Sequence, residues 1–424
     1  MWVMSLNLSN FRGGLDLSLP FNEQLNVFVG ANGSGKSTVL DALALALSWA
    51  ANRIRHAGAS GRPIDESDIT NGKSTAVIEV KCQTETGTVT WKLAKSRVGH
   101  AAEDKSDLHA LTDFSRFLQG QIAESQEQRD LPLFVYYPVN RAVLDIPLRI
   151  REKHRFTLLS AYDEALTSGA NFRTFFEWFR EREDLENENL KYLNELIKPE
   201  GFCFPDPQLE AVRQALTSFL PEFRNLTVRR SPLRMEVEKE GRRFAVNQLS
   251  GGEKCLIALI GDLARRLSIA NPTLDNPLHG KGVVLIDEID LHLHPKWQRL
   301  VVAKLLKVFP RCQFNISTHS PHVVTHVRKD SLYLLTQSPQ GILAERPRES
   351  FGKNVDRILE DLMGLPTTRP DTIQQALRTI FLTIDEGSLH LAKEQISSLR
   401  QEIGDDPELV RADVLIRRKE IIGK

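Results

Sequence analysis

Three short strings in this chain have the residue types and spacing for phosphate chemistry. Gly30-Ala31-Asn32-Gly33-Ser34-Gly35-Lys36-Ser37 fits G-x-x-x-x-G-K-[ST] and continues into Thr38. Small residues let successive backbone N–H groups wrap a phosphate, and a helix starting here adds partial positive charge. Lys36 supplies an ammonium for the outer phosphates, and the Ser37 hydroxyl a ligand for Mg²⁺. A ligand-free Gly-rich turn would account for the glycines but not for Lys36-Ser37 or the flanking pattern, so the string reads as a nucleotide site. The apolar run Val283-Val284-Leu285-Ile286 ends in Asp287-Glu288. One such carboxylate can hold magnesium through water, and the other can polarise an attacking water. Leu249-Ser250-Gly251-Gly252-Glu253-Lys254 precedes a helical pattern, and His319 follows the strand expected over Gln313–Ser317. Taken alone, Ser250 is a helix N-cap and His319 a structural histidine.

The elements that must position these groups are legible in the apolar pattern. Trp2, Met4, Leu6 and Leu8, then Leu15, Leu17 and Leu19, alternate as half-buried strands do. Val27-Phe28-Val29 suits a strand covered on both faces, and Ser37–Ile54 turns helical. A hairpin is predicted over Thr75–Cys82 and Thr88–Leu93, a helix over Leu108–Ser125 and a buried strand over Leu133–Tyr137. The stretch from Arg155 to Leu220 reads as helical. Phe172, Phe175, Phe176 and Phe179 there lie on one core-facing stripe, and Glu181–Glu188 reads as a solvated acidic face. Strands follow at Asn225–Arg230, Met235–Glu238, Val283–Ile286, Gln313–Ser317 and Leu332–Leu335, with helices from Gly252 and over Pro295–Val308. About 85 residues after Leu335 read as helical, strongly charged from Val355.

Composition sets the outer limits. With 424 residues, 41% hydrophobic and 26% charged, the chain has material for roughly three globular domains. Disordered, collagenous and disulfide-scaffold classes are excluded. The longest apolar stretch, Ala42–Ala51, is far short of the ~20 residues of a membrane span. No signal peptide is expected, and four isolated cysteines suit a reduced, cytoplasmic protein. Fifty-five Lys and Arg balance 55 Asp and Glu, so any DNA contact must come from local basic patches.

In their order, Gly30–Thr38, Leu249–Lys254, Val283–Glu288 and His319 resemble the motifs of ABC-type ATPase heads, with Leu249–Lys254 matching the LSGGE signature. The resemblance covers about residues 1–340. It implies an α/β fold, a RecF/SMC-like P-loop head with a mixed sheet, an inserted helical subdomain and a C-terminal helical tail. The implied segments are a first lobe at 1–150, a helical insertion at 151–222, a second lobe at 223–345 and the tail at 346–424. It implies ATP and Mg²⁺ as cofactors, with Ser37 and Asp287 on the metal and Lys36, Glu288 and the switch residue His319 as catalytic groups. Nucleotide contacts are implied for Arg12, Gly30, Asn32, Gly33, Ser34, Gly35, Lys36, Ser37 and Thr38 of one head. Ser250, Gly251, Gly252 and Glu253 would come from a second head, in a homodimer or higher oligomer.

Asp287-Glu288 continues as Ile289-Asp290-Leu291-His292-Leu293-His294-Pro295, unlike transporter subunits. Lys36 and Ser250 are 214 residues apart, more than transporters use and too few for SMC arms. His292 and His294, an H-x-H pair without further ligands, read as packing. Asn10-Phe11-Arg12, the Asp-Glu string and Ser317-Thr318-His319-Ser320-Pro321 resemble the RecF/OLD-like prokaryotic ATPases. Leu131–Tyr137 with Asn140-Arg141, the Phe175–Phe179 helix and the charged tail resemble the ATPases of Septu-type anti-phage systems, which work beside an HNH nuclease. No Asp-x-Asp follows Leu335, so a nuclease is expected on a separate chain. No clear Q-loop glutamine is present; Asn140 and Arg141 stand at its place.

The resulting expectation is a pair of heads that clamp ATP between them, with no membrane partner, and control a nuclease. Arg224, Arg229, Arg230, Arg234, Arg242 and Arg243 are candidates for a DNA-facing patch, or ordinary surface arginines on a small sheet. The alternatives are a RecF-like DNA-repair clamp and a transport ATPase.

Overall fold

The computed structural model describes residues 1–100, 104–126, 128–139, 156–167, 171–195, 197–199 and 202–422. Trp2–Phe11 (β1) and Gly14–Pro20 (β2) pair antiparallel, Leu6 opposite Leu19 and Leu8 opposite Leu17, so the alternating leucines share one buried face. Leu25–Val29 (β3) is buried throughout and leads into the helix Lys36–Arg55 (α1). Thr75–Thr84 (β4) and Gly87–Ser96 (β5) form the expected hairpin, and β4 pairs with β1 in a sheet of order β2-β1-β4-β5. His109–Glu124 (α2) buries Leu111, Phe114 and Leu118, and Leu133–Tyr137 (β6) is buried at every position.

In the middle segment, Phe172–Leu190 (α3) and Pro207–Phe219 (α4) are helical. Phe172, Phe175, Phe176 and Phe179 are all core residues, as their spacing requires. The acidic run on α3 departs from expectation. Glu183 and Glu186 are 5% and 8% exposed, because Arg230 pairs with the first and Arg213 with the second. Glu183 also accepts from the Val228 N–H, and Glu186 from that of Asp206. Burial of a carboxylate is tolerable only with such partners.

Phe223–Arg230 (β7), Leu233–Lys239 (β8) and Arg242–Ala245 (β9) make a small antiparallel sheet, and Gly251–Ala270 (α5) follows. Gly282–Ile286 (β10), Pro295–Val308 (α6), Cys312–Thr318 (β11), the single turn Pro321–Val324 (α7) and Leu332–Ser338 (β12) come next. Gly341–Glu345 (β13) is a strand in a stretch expected to be helical. It returns antiparallel along β12, with Ser338 opposite Gly341. The central sheet has the order β13-β12-β3-β11-β10-β6, parallel except for β13. Ile286 lies beside both Tyr137 and Ile316, and Thr318 beside Val29. The turns that follow β3, β10 and β11 therefore leave the sheet side by side at its carboxyl edge, where ligands bind in parallel sheets.

The chain forms two compact units, Met1–Lys353 and Asn354–Lys424. In the second, the short Val355–Arg357 (α8) precedes Asp371–Asp385 (α9), Leu389–Ile403 (α10) and Pro407–Ile422 (α11). Leu377, Ile380, Ile384, Ala392, Ile396, Leu399, Leu409, Ala412 and Ile416 form its own core. Arg369–Asp406 and Arg400–Asp413 pairs close its surface. Among the described residues, no helix is long and apolar enough to cross a membrane.

Candidate nucleotide site

The loop between β3 and α1 has the shape its glycines allow. Gly35 caps α1 with φ of +101°, a left-handed conformation that a side chain would strain. Gly30, Asn32 and Gly33 form the arc of the loop, Asn32 and Gly33 exposed, and Thr38 continues into the helix. Ser34 is buried, and among the described residues its Oγ has no hydrogen-bond partner. Lys36, 5% exposed, turns its ammonium into the loop, with Nζ 3.0 Å from Gly30 O and 2.9 Å from Ala31 O. Burial lowers its pKa, opposed by the charges of Asp287, Glu288 and Asp290. That is where an ammonium can exchange two carbonyls for phosphate oxygens.

Ser37 Oγ donates to Asp287 Oδ2 at 2.8 Å, which joins the two residues expected on the metal. Their hard oxygens suit a small divalent cation that shares its shell with phosphates and water, as Mg²⁺ does. Among the described residues, no cluster of three His, Cys, Asp or Glu offers a metal site. Ser317 Oγ donates to the other Asp287 oxygen and accepts from the Glu288 N–H at 2.7 Å. The Ser317 carbonyl receives the Ile289 N–H at 3.0 Å. This clasp holds Glu288 at φ of +47°, a conformation costing a non-glycine residue of order 1–3 kcal/mol. Asp290 Oδ1 accepts from Thr318 Oγ1 at 2.5 Å and from the His319 N–H at 3.3 Å, which anchors His319 to the same turn.

Arg12 lies to one side. Its Nε is 2.8 Å from Asp68 Oδ1, and its Nη1 2.5 Å from Asp41 Oδ2, one turn along α1 from Ser37. Burial would lower its pKa, but these two carboxylates outweigh burial and raise it. Tyr136 Oη donates to the second Asp41 oxygen at 2.9 Å.

Ser250 caps α5 in a reciprocal box. Its Oγ accepts from the Glu253 N–H at 3.4 Å, and Glu253 Oε2 accepts from the Ser250 N–H at 2.8 Å. Glu253 is buried and paired with Lys239 at 2.6 Å. Ser250 and Gly251 are exposed, and none of the described hydrogen bonds joins residues 250–253 to the phosphate loop. Gly252 permits a close approach: a Cβ there would stand 2.4 Å from the His292 carbonyl oxygen. The signature turn thus packs on the segment that follows Glu288. His292 and His294 are both exposed, and His294 Nδ1 caps α6 by accepting from the Lys296 N–H. Asn140 and Arg141 lie outside the described residues.

Two features escaped the sequence reading. In the sequence Ser317 stands only as a neighbour of His319; its signal is a hydroxyl in a fully buried strand. The other is a buried cluster on α5. Asp262 accepts from Tyr137 Oη at 3.0 Å, Arg265 at 2.6 Å and Arg266 at 2.8 Å. Arg266 also holds the carbonyls of Ala161 and Asp163. Tyr137 in turn receives the Asp287 N–H on its carbonyl at 2.9 Å, so α5 and the acidic turn meet through one residue. Ser317→Ala removes the one hydroxyl that bonds both an Asp287 oxygen and the Glu288 N–H. Loss of an outer-shell partner of this kind costs about 10–100-fold in metal affinity or activity. ATP turnover titrated with Mg²⁺ should show that loss, and an unchanged midpoint and rate would exclude the clasp.

Residues 5–224 match the AAA domain family. The chain belongs to that family. Several relatives of this AAA domain protein are similar over most of its length. Retron Vc95 probable ATPase of Vibrio cholerae serotype O1 biovar El Tor is 32% identical across 78% of this chain and 73% of its own. Retron Ec83 probable ATPase of Escherichia coli is 29% identical across 98% of this chain and 87% of its own. Septu protein PtuA of Bacillus thuringiensis is 24% identical across 91% and 89%. The resemblance to Septu ATPases read from the sequence is borne out.

Proposed function

We propose that the chain is an ATP-binding and ATP-hydrolysing head whose nucleotide-gated self-association controls a separate nuclease in anti-phage defence, in the cytoplasm. The observation that carries the reading is the bonded set Ser37–Asp287–Ser317–Glu288 beside the Lys36 loop, at the carboxyl edge of the sheet. Kinship with retron and Septu ATPases supports the setting. The division into lobes 1–150 and 223–345, the insertion 151–222 and the tail 346–424 belongs to the same proposal.

In this reading the loop N–H groups and Lys36 bind the β- and γ-phosphates of ATP. Ser37 and Asp287 hold Mg²⁺, which neutralises charge on the phosphate oxygens. Glu288 takes a proton from the water that attacks the γ-phosphorus, and the ADP oxygen leaves with the bonding electrons. His319, held by Asp290, faces the same phosphate as a sensor. Arg12 contacts the nucleotide from the Asp41 side of α1. Ser250, Gly251, Gly252 and Glu253 serve the ATP of a second head, which is why they are exposed at Ser250 and Gly251 and not bonded to their own loop. The partner nuclease is of HNH type.

Phosphate release is the test. The wild type is expected to hydrolyse ATP with Mg²⁺, and Lys36→Ala to lose at least about a hundredfold in rate, as removal of a preorganised charge does. Equal rates for both proteins would refute the site.

A further inference from the structure

The six arginines around β7–β9 are a poor polyanion site once folded. Arg229 and Arg234 both pair with Glu236, and Arg230 pairs with Glu183 and Asp184. Glu238 stands opposite both Arg224 and Arg243 in the sheet. Carboxylates interleave with the cations, so little net field remains.

The uncompensated charge lies elsewhere. Between Asp290 and Asp330 the sequence has no Asp or Glu, yet it carries seven Lys and Arg in a chain whose net charge is zero. The helix α6 carries three of the exposed cations of this segment, and Arg328 and Lys329 are exposed beyond it. Lys296, Arg299 and Lys307 are exposed, with Leu300 and Ala303 between them, and Arg311 follows the helix. Positions 296, 299, 300, 303 and 307 repeat at three and four residues, which sets them on one face. Lys304 instead faces inward and donates to Phe219 O at 2.8 Å. Among the described residues, Lys296, Arg299, Lys307 and Arg311 make no ion pair with a carboxylate. At 1.5 Å per residue, Lys296 to Lys307 spans about 16 Å of straight, rigid helix.

We propose that the outer face of α6 docks on the phosphate backbone of double-stranded DNA. A duplex offers one negative charge per about 1.7 Å of axis, which suits a straight row of cations that, among the described residues, form no ion pair with a carboxylate, Glu222 lying on the Lys304 side of the helix. Single strands are bound by aromatic platforms, and this face exposes no aromatic ring, since Trp297 is half-buried. Leu300 and Ala303 keep the middle of the row low enough for the flanking cations to reach the backbone. The contact is independent of sequence and uses none of the side chains assigned to ATP, so it goes beyond the function proposed above.

The test uses the full chain and a fluorescent duplex of about 30 base pairs, followed by anisotropy across a salt series, with a single strand of equal length as a second arm. Combined Lys296→Glu, Arg299→Glu and Lys307→Glu is expected to weaken duplex binding at least about a hundredfold. It should also flatten the slope of log affinity against log salt by about 2–3, at 0.9 per contact. The corresponding Gln variant should move the same way by a smaller factor, and both should bind ATP as the wild type does. Arg242→Glu with Arg243→Glu should change affinity less than about threefold. The proposal is overturned if the wild type binds no duplex at low salt, if the single strand binds more tightly, or if the Arg242/Arg243 variant takes the larger loss. It is equally overturned if the α6 variant loses self-association while keeping DNA affinity.

Discussion

Glu288→Gln is expected to slow ATP hydrolysis by about 10²–10⁴-fold while leaving ATP affinity within a few-fold. That range is the usual worth of a positioned general base. Glutamine is close to isosteric and cannot accept the proton of the attacking water. The backbone clasp at Glu288 does not depend on the side chain, because Ser317 Oγ receives the N–H. Lys36, Ser37 and Asp287, proposed to hold the nucleotide and its Mg²⁺, are untouched. Single-turnover phosphate release and a binding titration with a labelled ATP would separate the two effects. A parallel loss of affinity and rate would instead show that Glu288 shapes the binding site.

The largest effect on stability is expected at Asp262, in the buried cluster on α5. Asp262, Arg265, Arg266 and Tyr137 are between 0% and 2% exposed. Burial pushes the Asp262 carboxyl up, but Arg266 and Arg265 outweigh it and hold it below the usual range. Asp262→Ala would leave two guanidinium groups buried without their counter-charge, and breaking a buried pair in this way costs about 3–5 kcal/mol. Tyr137→Phe removes one bond to a charged acceptor and should cost about 1.5–3 kcal/mol. Urea midpoints of the full chain, fitted across the first transition, would measure both. A loss under about 1 kcal/mol for Asp262→Ala would mean that water reaches the cluster.

Much of this architecture can be read from the chain because two of its central parallel strands are apolar without interruption. Leu133–Tyr137 and Val283–Ile286 are of this kind, and the structure returns them almost residue for residue. The phosphate loop is equally legible, since its chemistry needs particular residues at adjacent positions. What the sequence hid is of two sorts. Arg242–Ala245 and Gly341–Glu345 are short edge strands, partly exposed, whose pairing comes from the neighbouring strand more than from their own pattern. Ser317 with Asp287 and Tyr137 with Asp262 are partners 30 and 125 residues apart; sheet order brings the first pair together, and packing of α5 against β6 the second. The acidic run of α3 misled for the same reason. Three of its five carboxylates, Glu183, Asp184 and Glu186, are met by Arg213 and Arg230, which arrive from distant elements.

The claim that ATP gates self-association is tested most directly by mass in solution. Light scattering would compare the wild type and Glu288→Gln, without nucleotide and with saturating ATP and Mg²⁺, with Ser250→Arg as the third protein. The account predicts a larger species on adding ATP, one that persists longest in Glu288→Gln and does not form in Ser250→Arg. Identical masses with and without ATP in both the wild type and Glu288→Gln, with ATP demonstrably bound, would contradict it.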